Sequence, residues 1–222
     1  VVRHNNLAAW AYVWQDLIRQ KRFESNPART ELLARGVAWL EGRDDRSEWT
    51  HVWRCLLESS SLPPAITPDE LLARGVAWLE GREDRSEWTF VWQRLLESPS
   101  LPPAITPDEL LARGVAWLEG RDNRSDWTFI WQKLVESRKE LTAFQGDEVL
   151  CLGREWLVRP THRSRPEWDK LLENWIDAGG DDGELLRAAA DWVTQHQGEK
   201  QVPPFAAKVL RATQEPAVLD HI

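Results

Sequence analysis

The sequence lacks methionine, has only two cysteines and a single tyrosine, and contains no long apolar run. A helix that crosses a membrane needs about 18 or more consecutive apolar residues, so we expect no membrane partner. Two cysteines build neither a disulfide framework nor a metal cluster, which predicts a reducing, cytoplasmic setting. Because the chain begins at Val1 without a methionine, we expect it to be a fragment of a longer protein.

Positive charge is also scarce. The chain has 28 Lys and Arg against 36 Asp and Glu, which gives a net charge of −8. A negative protein is not attracted to nucleic acid or to anionic lipid. The same charge disfavours an RNA reader that recognises one base per helical repeat. We therefore predict no nucleic-acid partner, whereas 42% hydrophobic and 29% charged residues are typical of a folded chain.

Tryptophan, by contrast, is abundant and regularly placed. Segments 62–98 and 101–137 differ at six of 37 positions, all conservatively. The near-identity fits a recent duplication and an engineered array equally well. A fixed period of this length predicts a solenoid or another repeat array. The residues that share the 39-residue period are Gly36, Gly75, Gly114 and Gly153; Trp39, Trp78, Trp117 and Trp156; Trp10, Trp49, Trp88 and Trp127; and Trp14, Trp53, Trp92 and Trp131.

Each repeat is predicted to form two helices. Thr67 followed by Pro68 and Glu70 predicts an N-cap with a capping box, and Thr106 with Glu109 repeats it. Gly81 predicts the C-terminal stop. Ser86 is expected to cap the second helix, whose apolar side chains recur at helical spacing.

The repeat register predicts an all-α fold, an α-solenoid of about eleven helices stacked as antiparallel hairpins, because no single hairpin can bury its apolar face alone. We expect one continuous array over residues 1–222. It comprises a half-repeat at 1–22, repeats at about 27–59, 67–98 and 106–137, and divergent capping repeats at about 146–177 and 182–214.

The repeated tryptophans and glycines are interpreted as a structural core. Indole rings one turn apart on an apolar stripe are expected to be buried, although aromatic platforms for bases, peptides or sugars remain the functional alternative. Glycine inside a helix is unfavourable, so Gly75 and its equivalents predict a close approach of the second helix with tryptophan over the bare backbone.

The repeat resembles the tetratricopeptide repeat. Gly75 and Trp78 match the glycine and aromatic residue of its first helix, and Trp88, Trp92 and Leu95 match the spacing of its second helix. The resemblance implies a right-handed superhelix of helical hairpins whose first helices line a concave, partner-binding surface. Trp-rich helical repeats are also similar to the sensor arrays of bacterial STAND and NACHT-type signalling NTPases.

Three groups of residues are candidates for partner binding: Arg35, Arg74 and Arg113; Ala73 and Ala77; and Phe90 and Phe129. The arginines could clamp carboxylates of a peptide. The competing interpretation is local, with Glu70 paired to Arg74 and a cation–π contact from Arg74 to Trp78. The alanines leave a shallow strip on the first helix. The phenylalanines are expected to contact the adjacent repeat rather than a ligand.

Catalytic and cofactor motifs are not found. The histidines are scattered, and no phosphate-binding glycine loop or nucleophile elbow occurs. Residues 177–184 (DAGGDDGE) lack calcium-loop spacing, so Asp181 or Asp182 is expected to cap a helix instead. We therefore expect no enzyme activity, no cofactor and no metal.

The sequence thus predicts a non-catalytic solenoid that binds a protein or peptide, as the sensor or scaffold arm of a larger bacterial signalling protein. The alternative is a purely structural spacer or an oligomerisation array, engineered or natural. Under that alternative, the exposed N-terminal half-repeat could pair with a second copy.

Overall fold

The 39-residue period corresponds to pairs of helices in the computed structural model, which describes residues 6–20, 28–137, 143–196 and 202–213. Over these ranges there are eleven α-helices, a 3-10 helix at Pro160–His162 and no strand. Residues 1–5, 21–22, 27, 197–201 and 214 of the expected repeats lie outside the described residues. The helices are α1 (Asn6–Arg19), α2 (Ala28–Leu40), α3 (Glu48–Leu57), α4 (Pro68–Leu79), α5 (Trp88–Leu96), α6 (Pro107–Leu118), α7 (Trp127–Glu136), α8 (Ala143–Val158), α9 (Trp168–Asp177), α10 (Gly183–Gln195) and α11 (Val202–Thr213).

Two compact units divide the chain, Val1–Leu110 and Leu111–Ile222. In the first unit, α1 packs against α2 and α3, and each later helix up to α5 packs against the one before it. In the second unit, α7, α8 and α9 pack against one another, α10 packs against α8 and α11, and α11 also packs against α9. Stacking of consecutive helical hairpins confirms the all-α solenoid class. The right-handed superhelix implied by the resemblance stays a prediction.

The first helix of a repeat begins at the expected capping box. The Oγ1 atom of Thr67 accepts a hydrogen bond from the backbone N–H of Glu70 at 3.2 Å, and the Glu70 carboxylate accepts one from the backbone N–H of Thr67 at 2.8 Å. The backbone N–H and the hydroxyl of Thr67, which both donate to the carboxylate, hold the pKa of Glu70 below its usual value. Thr106 and Glu109 repeat the arrangement at the same distances, which confirms the predicted start.

The turn between the two helices of a repeat differs in part from expectation. Gly81 has a φ of 67°, a backbone conformation that favours glycine, and it ends α4 as predicted. The prediction that Ser86 caps α5 is wrong: the helix starts at Trp88, and the Ser86 hydroxyl contacts the Glu87 carboxylate instead. Successive backbone bonds, from Arg85 to Arg82 and from Trp88 to Arg85, lead the turn directly into the helix. A side-chain cap therefore has no role there.

Candidate functional site

In α5 and α7, the first tryptophan of the second helix closes its own hairpin. The indole N–H of Trp88 donates to the carbonyl of Leu79, the last residue of α4, at 3.1 Å. In the second unit, Trp127 donates to the carbonyl of Leu118 at 3.0 Å. These indoles are almost fully buried. A buried Trp N–H requires an acceptor, and here the end of the preceding helix supplies it.

Within each unit, the second tryptophan of a second helix lies over the glycine of the next repeat. The indole N–H of Trp53 donates to the carbonyl of Leu71 at 2.7 Å, and its ring covers Gly75 so closely that a Cβ atom would overlap it. Trp131 covers Gly153 in the same way, with 2.6 Å between the nearest ring atom and such a Cβ. The close approach expected from the helical glycines is therefore present at these positions. A side chain there would separate adjacent repeats.

The tryptophan of each first helix contacts the preceding repeat. Trp78 donates its indole N–H to the carbonyl of Asp44, in the turn after α2, at 2.9 Å. Its ring also stacks on Trp49, with 5.7 Å between centroids. In the second unit, Trp156 donates to the carbonyl of Asp122 at 3.3 Å. In the repeat at 67–98, Trp78, Trp88 and Trp92 thus donate to three different backbone acceptors.

The core set predicted from the sequence is buried. Each repeated tryptophan of α2 to α9 has at most 6% of its surface exposed. All four glycines are likewise buried. This arrangement uses the indole faces inside the stack, so they are not available as platforms for bases or sugars.

A side chain that follows each first helix covers the tryptophan ring from outside. Arg82 donates to the carbonyl of Trp78 at 3.0 Å and lies over its ring at 5.6 Å. In the divergent repeats a histidine takes this position, and on Trp156 the guanidinium group of Arg165 also lies over the ring, at 5.7 Å. The Nδ1–H of His162 donates to the carbonyl of Trp156 at 2.9 Å, and the ring centroids are 4.4 Å apart. His196 occupies the same position on Trp192, with its Nδ1 2.9 Å from the carbonyl.

His162 is a buried titratable group with charged neighbours. Burial lowers the pKa of its imidazole, and the positive charges of Arg165 and Arg159 lower it further. The carboxylate of Asp122 lies 4.0 Å from its Nε2 atom. His162 is therefore neutral at neutral pH.

The predicted local partners of the arginine ladder are only partly present. Arg35 pairs with Glu31 one turn earlier, at 2.6 Å. For Arg74 the expected partner was Glu70, but its ion pair joins it to Glu41 of the preceding repeat at 3.5 Å. The cause is that the carboxylate of Glu70 is held by the capping box.

The cation–π contact expected between Arg74 and Trp78 is also absent, because the guanidinium group of Arg82 lies over that ring. Arg113 is half-buried.

A shallow cleft of about 320 Å³ opens beside α4, where two of the candidate residues meet. Trp49, Ala77, Trp78 and Arg74 are among the residues that line it. Ala77 is exposed, while Ala73 is half-buried and does not line the cleft. The cleft therefore combines a mostly apolar lining with a guanidinium group that pairs with a solvent-exposed carboxylate.

The phenylalanine position lies at the junction between second helices. Phe90 is half-buried beneath the guanidinium group of Arg54, 5.2 Å from its ring centroid. Phe129 is 36% exposed and lines a cleft of about 180 Å³ with Lys170 and Asn174 of α9. Contact with the adjacent repeat, the expected role, is observed for Phe90.

Chemistry-bearing residues do not converge in the described residues. No group of three or more His, Cys, Asp or Glu there could hold a metal ion. Asp182 caps α10 by accepting from the N–H groups of Glu184 and Leu185, as predicted. Cys55 is buried, which raises the pKa of its thiol, whereas Cys151 is exposed.

None of the helices described is long and apolar enough to span a membrane. Comparison with protein-family models, with curated proteins and with solved structures finds no match for the chain.

Proposed function

We propose that the chain is a non-catalytic binding array that uses its first helices to hold a protein or peptide. The cleft lined by Trp49, Ala77 and Trp78 supports this most directly, since it combines a mostly apolar lining with an accessible arginine. Peptide-binding sites commonly combine an apolar pocket with a few polar groups that fix orientation.

The chemistry of the cleft favours an acidic peptide with a small apolar side chain. Arg74 is paired with Glu41, whose carboxylate is 67% exposed, so the pair is weak and its cation can exchange partners. Arginine binds carboxylates with two parallel hydrogen bonds. An incoming carboxylate could therefore displace Glu41 while an apolar group rests beside Ala77.

The repeated layout supports binding by several weak contacts. Arg35, Arg74 and Arg113 recur with the repeat, as do exposed alanines at positions 38, 77 and 116. Contacts that are individually weak gain affinity when one partner engages several of them. The wider proposal, a sensor or scaffold arm of a bacterial signalling protein with a tetratricopeptide-like superhelix, rests on the sequence resemblance alone.

A structural spacer or oligomerisation array is the second candidate. The near-identity of residues 62–98 and 101–137 favours it, because identical repeats present identical surfaces. Light scattering distinguishes a spacer from an oligomerisation array. The spacer binds no ligand and stays monomeric, whereas the oligomerisation array associates as its concentration rises.

The test is a selection of random twelve-residue peptides displayed on phage against the immobilised chain. Selected peptides are then measured against Ala77→Trp, which fills the cleft, and against Ala207→Trp, which adds the same ring at an exposed position of α11 outside it. The proposal predicts acidic peptides that lose about tenfold or more in affinity with Ala77→Trp only. Equal binding to both variants, or no enrichment, contradicts it.

A further inference from the structure

Three arginines meet at one carboxylate on the second helices of the first unit. The carboxylate belongs to Glu58, which directly follows α3. Its oxygens lie 3.3 Å from a terminal nitrogen of Arg94 on α5 and 3.9 Å from the Nε atom of Arg54 on α3. A terminal nitrogen of Arg19, on α1, lies 4.0 Å away. We call Arg19, Arg54 and Arg94 the arginine cluster.

The equivalent position in the second unit has an ordinary pairing. Glu136 lies five residues after the second tryptophan of its helix, as Glu58 does. The Nζ atom of Lys133 and the side-chain amide of Gln132 donate to its carboxylate at 2.9 and 3.0 Å. One cation therefore neutralises one carboxylate there.

Two replacements create the arginine cluster. The first is Arg19, which stands in α1 at the position of the glutamate, and the second is Arg54, which stands in α3 at the position of the glutamine. Arg94 also lies 3.5 Å from Glu97, so the ion pairs among the described residues of this group join three cations to two carboxylates. One positive charge is left over, in a chain that is negative overall.

The hydrogen-bond donors of the arginine cluster are incompletely used within the described part of the chain. The Nε–H of Arg54 is buried and has no partner. Its distance of 3.9 Å to the Glu58 carboxylate is too long for a hydrogen bond, and so is the 4.0 Å contact of Arg19. A buried donor without an acceptor is costly, so this place favours an acceptor with more oxygens than one carboxylate.

Two of the guanidinium groups are held in place without the help of Glu58. The amide of Gln15 is buried and, oriented to suit its neighbours, accepts from both terminal nitrogens of Arg19 at 2.8 and 3.0 Å. The guanidinium group of Arg54 lies over the ring of Phe90. The Glu58 side chain is 40% exposed, so its ion pairs are weak and its carboxylate can turn into solvent. The arginines would keep their positions when it does.

We propose that the arginine cluster binds a phosphate group, which takes the place of the Glu58 carboxylate. A phosphate monoester carries nearly two negative charges at neutral pH and has three strong acceptor oxygens. Arginine binds such oxygens with paired hydrogen bonds. None of the three arginines lines the cleft beside Ala77, so this proposal does not depend on peptide binding there.

The net charge of the chain does not oppose binding of one phosphate group. Salt screens exposed charges beyond about 8 Å at physiological ionic strength, so the local surplus of positive charge decides the attraction. Nucleic acid is a poorer fit, because its binding depends on contacts to several successive phosphates.

The competing interpretation of the arginine cluster is structural. All three arginines lie in the last turn of their helix, where a positive charge is favourable. A structural role alone predicts no affinity for a phosphate group, so the two interpretations differ in a measurable way.

The probes are inorganic phosphate and a blocked glycine–phosphoserine–glycine peptide. Each is titrated into the full chain by isothermal calorimetry at about pH 7.5 and about 0.15 M salt, where the phosphate group is a dianion. The proposal predicts saturable binding at one site per chain and no binding of the unphosphorylated peptide. Equal affinities assign the site to free phosphate or a small phosphate monoester, whereas a peptide that binds about tenfold more tightly assigns it to a phosphorylated protein.

Two substitutions with opposite effects test the assignment to these residues. Arg54→Gln should weaken binding of both probes by about tenfold or more, and Arg187→Gln, which removes the same charge at an exposed position of α10, should not. Glu58→Gln removes the competing carboxylate and should tighten binding by about threefold or more. Glu155→Gln, at an exposed position of α8, is its matched control.

Three results would overturn the proposal. The first is an absence of binding for both probes at about 10 mM. The second is equal weakening by Arg54→Gln and Arg187→Gln, which would show general attraction of anions to the chain. The third is a Glu58→Gln variant that binds no better than the unchanged chain. Circular dichroism establishes that each variant is folded, and Glu58→Gln alone decides the question if Arg54→Gln is not.

Discussion

The near-identical repeats and the last hairpin, α10 with α11, fill equivalent positions with different residues. In the repeats, an indole lies over a helical glycine, as Trp53 lies over Gly75. The last hairpin has Ala189 at the glycine position, and Leu172 stands before it at the tryptophan position; both are fully buried. Where alanine adds a methyl group at the glycine position, the smaller leucine therefore stands in place of the tryptophan. The comparison indicates that the glycine is needed because the indole covers it.

A second difference concerns the group that covers each first-helix tryptophan. Arg43 and Arg82 do so in the first unit, whereas in the divergent repeats His162, together with Arg165, covers Trp156 and His196 covers Trp192. Arginine stays charged at all relevant pH values, but histidine loses its proton near neutrality. Because burial lowers the pKa of His162, the repeat that contains α8 carries a pH dependence at this position.

The largest effect is expected when the indole alone is removed. Trp53→Leu deletes the bond to the carbonyl of Leu71 and leaves a cavity over Gly75, which should destabilise the chain by about 3 kcal/mol. Urea unfolding followed by circular dichroism measures the change. Tyr12→Leu, at an exposed position, serves as the control and should change stability little. A loss below about 1 kcal/mol for Trp53→Leu would show that the indole is not an essential contact.

The next largest effect is expected from adding a methyl group beneath the indole. Gly75→Ala should destabilise by about 2 kcal/mol, because overpacking outweighs the better helix propensity of alanine. Gly183→Ala is the matched control, since its nearest neighbour would be the flexible end of Arg187 at 3.7 Å. Urea unfolding followed by circular dichroism again measures the change in stability. Stabilisation by Gly75→Ala would contradict the close approach.

A smaller loss is expected at the capping box, which the last hairpin replaces with Asp182. Thr67→Ala removes the acceptor for the N–H of Glu70 and should cost about 1 kcal/mol. Thr67→Ser keeps a hydroxyl and should restore most of the stability. Hydrogen exchange of the first-turn amides of α4 locates the effect, and an unchanged exchange rate would show that the box adds nothing.

Some of this arrangement can be predicted from sequence, and some cannot. Capping depends on residues three positions apart, so Thr67 and Glu70 predict the capping box directly. Burial of Trp88 and Trp92 follows from helical spacing. The partner of Arg74 is set by the preceding repeat, 33 residues away, and by competition of the capping box for Glu70.

Indole hydrogen bonds are the contacts that sequence reasoning missed. They recur at separations of 9, 18 and 34 residues. The sequence contains one indication of them: each tryptophan keeps a fixed spacing from the neighbouring helices and turns. The acceptors, however, are main-chain carbonyls, which carry no residue identity. The helix packing has to be known before they can be assigned.

The smallest effect is the pH dependence of the repeat that contains His162. Because burial lowers the pKa of His162, its contribution to stability is complete above an unfolded-state pKa of about 6.5 and is lost as pH falls through the folded value. Hydrogen exchange of α8 should therefore accelerate relative to α4 between about pH 7.5 and pH 5.5, allowing for the intrinsic rate. His162→Gln should remove the difference. Equal responses of α8 and α4 in the unchanged chain would contradict the assignment.

A double-mutant cycle on Trp53 and Gly75 tests most directly whether adjacent repeats are joined by the indole over the glycine. Trp53→Leu with Gly75→Ala in one chain reproduces the pair found at Leu172 and Ala189. We predict that the double variant is more stable than the sum of the two single losses implies, by about 1 kcal/mol or more. Losses that add to within about 0.5 kcal/mol would show that the two positions act independently, and would contradict the account.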